Sequence, residues 1–158
     1  MPLAGHYLIA DAYRGSEIKQ AITDFYRSAA GLVTEGSASA KKDFSATAAL
    51  SVYVGHDGLM DFAIESRFQG DAKAHREAIM LACASKTFFA AGLKSTGAQP
   101  LLWTTGLMAP EAYTLKAALD GWIAGESAVG MRERAAAAYA KYQKCSMTAA
   151  QRLFTSGW

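Results

Sequence analysis

The chain has 158 residues, 51% of them hydrophobic and 19% charged, with a formal net charge of +2. That length suits one domain with a core of its own. A balance so close to neutral leaves no electrostatic footprint for nucleic acid or an anionic membrane surface. No apolar run nears the roughly 18 residues of a membrane span. Met1-Pro2-Leu3-Ala4-Gly5-His6 lacks the charged and apolar regions of a secretory signal. The two cysteines, Cys83 and Cys145, read as reduced thiols of a cytoplasmic protein rather than as a disulfide scaffold. A piece of a longer chain would read the same way.

Tyr7-Leu8-Ile9-Ala10 reads as a short strand. A helix follows, with Ser16 as its N-cap, Gly31 as its stop, and Ile18, Ala21, Ile22, Phe25 and Ala29 on one apolar face. Residues 34–47 are rich in Ser, Ala, Lys and Gly and predict a loop. The apolar run Leu50 to Val54 is a buried strand that ends in Gly55-His56-Asp57-Gly58. Phe62, Ile64 and Phe68 alternate with polar residues, which predicts a second strand or hairpin, closed by a turn at Gly70-Asp71. Residues 72–77 suit one helical turn. Ala78 to Ala82 is another buried strand, and it ends at Cys83. Lys86 to Leu93 predicts a helix stopped at Gly97, and Pro100 to Thr105 a strand. Pro110 and Glu111 open a helix whose face carries Ala112, Leu115, Leu119, Trp122 and Ile123. A further helix covers about Met131 to Tyr142, and a short last one carries Leu153 and Phe154. Strands that alternate with helices predict an α/β fold: a mostly parallel sheet with helices on both faces, a three-layer sandwich. Residues 1–158 make one domain, with 126–158 as a C-terminal helical extension.

Two short apolar runs thus end in reactive side chains, His56 and Cys83. If their strands are neighbours, both side chains stand at the carboxyl edge of the sheet, where open α/β sheets place ligands and catalysts. A Cys beside a His is the minimum for a thiol nucleophile and its base. Either residue alone is ordinary: a lone His in a Gly-rich turn is more often a local hydrogen-bonding group, and free Cys is often a small buried hydrophobe. Cys83 gains weight from Ala84-Ser85-Lys86, because a helix N-terminus and basic neighbours favour thiolate. Cys145 has no such frame. A metal site drawn from His56, Asp61, His75 and Cys83 matches no zinc spacing, so metal: none is the expectation. The Gly55–Gly58 turn lacks the phosphate-binding fingerprints. Trp103, Thr104 and Thr105 end a strand near the same edge and either line a cleft or pack and cap. Arg132-Glu133-Arg134 reads as a solvated helix face.

Val52-Tyr53-Val54-Gly55-His56-Asp57-Gly58 followed by Ile79-Met80-Leu81-Ala82-Cys83 resembles the paired signature of the caspase-like cysteine peptidases. That group comprises caspases, metacaspases, legumains, gingipains, separases and CHAT-domain proteases. Gly15 to Ile22 resembles the helix before the His strand in metacaspases. Phe88 to Leu102 and Met108 to Gly125 resemble the segments after the Cys in CHAT domains. The similarity spans roughly Tyr7 to Gly125 and begins at the family's second strand. It implies a caspase-like fold lacking the first strand–helix unit.

The resemblance implies a cysteine endopeptidase that needs no metal or organic cofactor. His56 and Cys83 would be catalytic. The Cys83 backbone N–H, with Asp57 or Gly58, would form the oxyanion hole. Asp11 or Asp61 would read a basic cleavage residue, Arg14 an acidic one, and Ser85, Trp103 and Thr105 would line the substrate cleft. The partner is a peptide or protein substrate, with no nucleic acid and no membrane. An unpaired sheet edge would favour a homodimer or a partner segment. Two alternatives stand beside this: a caspase-like interaction module without catalysis, and a small-molecule or metal-binding α/β domain.

Overall fold

The computed structural model describes residues 5–32, 46–65, 67–71 and 73–158. Its sheet holds β1 (Leu50–Val54), β2 (Glu77–Leu81), β3 (Gln99–Thr104) and β4 (Phe154–Thr155), in that spatial order. The first three are parallel, and β4 is antiparallel to β3. Around them lie α1 (Ile18–Ala29), α2 (Ser85–Thr96), α3 (Ala112–Ile123), α4 (Ala128–Gln143) and α5 (Met147–Leu153). The chain is therefore an α/β protein with a mostly parallel sheet.

β2 and β3 are buried on both faces beyond their first residues, β1 is half-buried with Val54 exposed, and side chains alternate between two cores as period-2 geometry requires. Tyr53, Ala78, Met80 and Ala82 meet Ile22, Phe25 and Tyr26 of α1 and Phe89 and Leu93 of α2. Leu50, Val52, Ile79 and Leu81 face Ala118 of α3, Met131, Ala135 and Tyr139 of α4, and Ala150 of α5. Pro100 cannot donate to a ladder, and the β2–β3 register shifts beside it, from Ala78↔Pro100 to Ile79↔Leu102. On the first face Phe25, Tyr26, Tyr53 and Phe89 form an aromatic cluster. Gly92 is needed there, because a Cβ would lie 2.4 Å from the Tyr26 ring.

Several expectations are corrected. Residues 7–10 form no strand; Tyr7, Leu8 and Ile9 are exposed and lie outside the four strands of the sheet. Ser16 lies inside a 3-10 turn, Gly15–Glu17, and Glu17 holds the N-cap position of α1. The alternation of Phe62, Ile64 and Phe68 belongs to irregular chain that tucks these side chains under α1 and α2. Residues 73–76 make a turn and bend rather than a helical turn. Pro110 precedes the N-cap Glu111, so α3 begins at Ala112. Phe154 leaves the helix and pairs with Thr104 in β4. Most of the expected 34–47 loop lies outside the described residues, as do residues 66 and 72. Within 126–158, Met131, Ala135, Ala136, Tyr139 and Ala150 join the second core, and Phe154-Thr155 pair with β3.

Candidate functional site

β1 and β2 are parallel neighbours, with Val54 opposite Leu81. The Gly55 N–H donates to the Leu81 carbonyl at 3.2 Å, which carries the pairing one residue further. His56 and Cys83 each stand two residues beyond that matched pair. Neighbouring strands run about 4.8 Å apart, so the two turns share the carboxyl edge of the sheet.

Cys83 sits in a tight strand-to-helix turn. Ala84, which follows it, is left-handed at φ 48° and ψ 33° and caps α2. Such a conformation costs a non-glycine residue roughly 1–2 kcal/mol. Lys144 is the other described non-glycine residue with positive φ, and it occupies an ordinary helix C-cap. The Ala84 turn is held from several sides. The Ala84 N–H donates to Gly106 O at 2.8 Å. Ser85 and Thr104, both fully buried, form a closed network behind it. Ser85 Oγ donates to Met80 O at 2.8 Å and accepts from the Thr104 N–H at 2.9 Å, while the Thr104 hydroxyl donates to Ala82 O. The Cys83 sulfur meets the Met108 backbone, 3.4 Å from its N and 3.5 Å from its O. Tyr139 of α4 fixes that loop by accepting from the Ala109 N–H at 3.1 Å.

The His56 turn is equally pinned. Tyr53 Oη donates to His56 O at 2.7 Å, and the Gly58 N–H reaches the same oxygen at 3.1 Å. A 3-10 turn, Gly58–Met60, follows with Asp57 as its N-cap; Asp57 Oδ1 accepts from the Leu59 N–H at 3.0 Å. Asp57 is buried, and its Oδ2 has no partner among the described residues. Burial raises its carboxyl above the ordinary 3.8, against the lowering effect of the Leu59 N–H and of His56. Burial pushes the Tyr53 phenol up to about 12, helped by the Asp57 charge. The turn brings Asp61 back to the imidazole, with Oδ2 3.0 Å from His56 Nε2. Both side chains are exposed.

The remaining expected site residues fall into two groups. Ser85 and Trp103 are fully buried, and as placed neither meets a substrate. Ser85 braces the Cys83 turn, and the Trp103 indole N–H donates to Gly157 O at 3.1 Å. Asp11, Arg14 and Thr105 are exposed. The first two lie before α1, and Thr105 Oγ1 donates to Arg152 O at 2.9 Å. His75 precedes β2 at the opposite end of the sheet from Cys83. Among the described residues no three His, Cys, Asp or Glu side chains gather as a metal site. The surface depression lined by Lys94, Gln99 and Trp158 lies at the amino end of β3, away from this chemistry. Sequence reasoning missed the contact of Asp61 with His56 and the Ser85–Thr104 brace. The readable signal for the first was Asp57-Gly58, a turn able to return the chain within five residues.

Fold and site together define an α/β protein with a histidine and a cysteine at the carboxyl edge of two adjacent parallel strands. No known protein family, no curated protein and no solved structure matches the chain.

Proposed function

We propose that the chain is a caspase-like cysteine peptidase with Cys83 as nucleophile and His56 as its acid–base partner. The observation that carries this reading is the parallel pairing of β1 with β2, with Val54 opposite Leu81 two residues before the two reactive side chains. Cys83 passes its proton to His56, and Sγ attacks the scissile carbonyl carbon. The C–N bond breaks as His56 returns that proton to the leaving amine, and a thioester remains on Cys83. Water, losing a proton to His56, then attacks the thioester carbon and releases the acid product and the thiol.

The oxyanion needs fixed N–H donors. Gly58 is committed to His56 O, whereas the N–H groups of Asp57 and Cys83 have no partner among the described residues. These two are assigned as the donors. The Asp57 carboxylate does not oppose them, because it is turned inward onto Leu59.

The test is hydrolysis of a positional-scanning library of fluorogenic peptides and of labelled denatured casein. The parent chain should cleave at least one. Cys83→Ala should abolish cleavage, and His56→Ala should reduce it by about 10²-fold or more. A parent that cleaves nothing, or a Cys83→Ala variant as active as the parent, contradicts the proposal.

One observation favours a second reading, a caspase-like interaction module without catalysis. His56 and Cys83 each have another partner, Asp61 and Met108, rather than each other. Under that reading Cys83→Ala keeps full biological activity.

A further inference from the structure

Resting on the peptidase reading, we infer that Asp61 is the positioning residue that orients His56 and fixes which ring nitrogen acts as the base. A neutral imidazole carries one proton, and the hydrogen bond made by one nitrogen decides where it sits. A carboxylate only accepts. With Asp61 Oδ2 3.0 Å from Nε2, the proton belongs on Nε2. Nδ1 has no hydrogen-bond partner among the described residues, so its lone pair remains for the Cys83 proton.

Asp61 does not reach the ring by chance rotation of a free loop. Its N–H donates to Gly58 O at 3.0 Å, closing the 3-10 turn that Asp57 caps. Gly58 lies so close under Phe62 and Ile18 that a Cβ would meet them at 2.7 Å and 3.0 Å. The turn is thus packed onto α1 through Phe62, while its far end carries the carboxylate back to the ring. The other groups facing His56 make no bond to its ring: Asp57 turns Oδ1 to the Leu59 N–H and keeps Oδ2 buried without a partner among the described residues, and Tyr53 binds the His56 carbonyl. Nor does a stability role explain the pair. Both side chains are more than 60% exposed, and exposed ion pairs contribute little to folding. This assignment replaces the expectation that Asp61 reads a basic substrate residue.

The test uses the full chain, 15N-labelled at histidine, with the His56 resonances assigned through His56→Gln. Long-range 1H–15N correlation reads the tautomer. The Nε2–H form should predominate in the parent and give way to a mixture in Asp61→Asn. Against the library peptide cleaved fastest, Asp61→Asn should lower kcat about tenfold or more, with KM held within about twofold, and Asp61→Glu should recover much of the loss. The melting temperature of both variants should stay near that of the parent. An active chain whose Asp61→Asn variant keeps parental kcat and tautomer overturns the positioning role alone. A rise in KM with kcat unchanged also overturns it and returns Asp61 to substrate binding. A chain that cleaves no peptide yet loses the Nε2–H form in Asp61→Asn keeps the positioning and overturns the peptidase reading.

Discussion

Asp57 is the residue on which the His56 turn depends, and its burial has a measurable consequence. A carboxyl whose folded pKa is raised binds more protons in the native state than in the unfolded chain between the two values. Stability from this group is therefore full below the unfolded value, near 3.8, and is lost as pH rises through the raised folded value. Asp57→Asn keeps an oxygen for the Leu59 N–H and removes the buried charge. Its melting temperature relative to the parent should climb as pH is taken from 4 to 7, read by thermal melts at matched salt. A difference that stays flat or shrinks contradicts the burial argument. His56 and Cys83 could be singled out in the sequence because each ends an apolar run at a turn. The role of Asp61 was legible only in part, because Asp57-Gly58 marks a turn but does not say where a 3-10 turn will aim an acidic residue five positions on. Trp103 looked available at a strand end, yet sheet-end position says nothing about the helix and chain terminus that cover it.

The strand-to-helix turn after Cys83 stores its strain in one residue. Ala84→Gly relieves the left-handed conformation and gives back some unfolded-chain entropy, so a net gain of up to about 1 kcal/mol is expected by urea denaturation. Ala84→Val, a β-branched side chain at the same φ, should lose stability; equal stability for all three residues would mean the turn relaxes freely. Behind it, Ser85 joins β2, β3 and α2. Ser85→Ala leaves Met80 O and the Thr104 N–H without their buried partner, at a cost of about 1–3 kcal/mol. A loss under about 0.5 kcal/mol would mean Thr104 or water takes over. Elements held by their own residues were legible: β1 and β2 as apolar runs closed by turns, α1 by its apolar stripe. Elements defined by pairing were not. Tyr7 to Ala10 has strand composition but no neighbouring strand among the described residues, whereas Phe154-Thr155 has too few residues to signal anything and becomes β4 because β3 is beside it.

At the scale of the molecule, three parallel strands between two helical cores bring distant residues to one edge. Cys83 lies 27 positions after His56 in the chain, and the β1–β2 ladder closes that gap. The layered α/β plan was readable from alternating periodicities, since buried parallel strands and one-sided helices leave different patterns. Integration of the last 33 residues, 126–158, was not, because an amphipathic helix shows that it packs without showing on what. Under the proposed function, this plan produces a working cysteine–histidine pair. It is tested most directly by the rate of iodoacetamide alkylation of Cys83 at neutral pH, resolved from Cys145 by peptide mass spectrometry in the parent and in His56→Ala. Cys83 should react at least about tenfold faster than Cys145 and slow when His56 is removed. A Cys83 no faster than Cys145 and indifferent to His56 contradicts it.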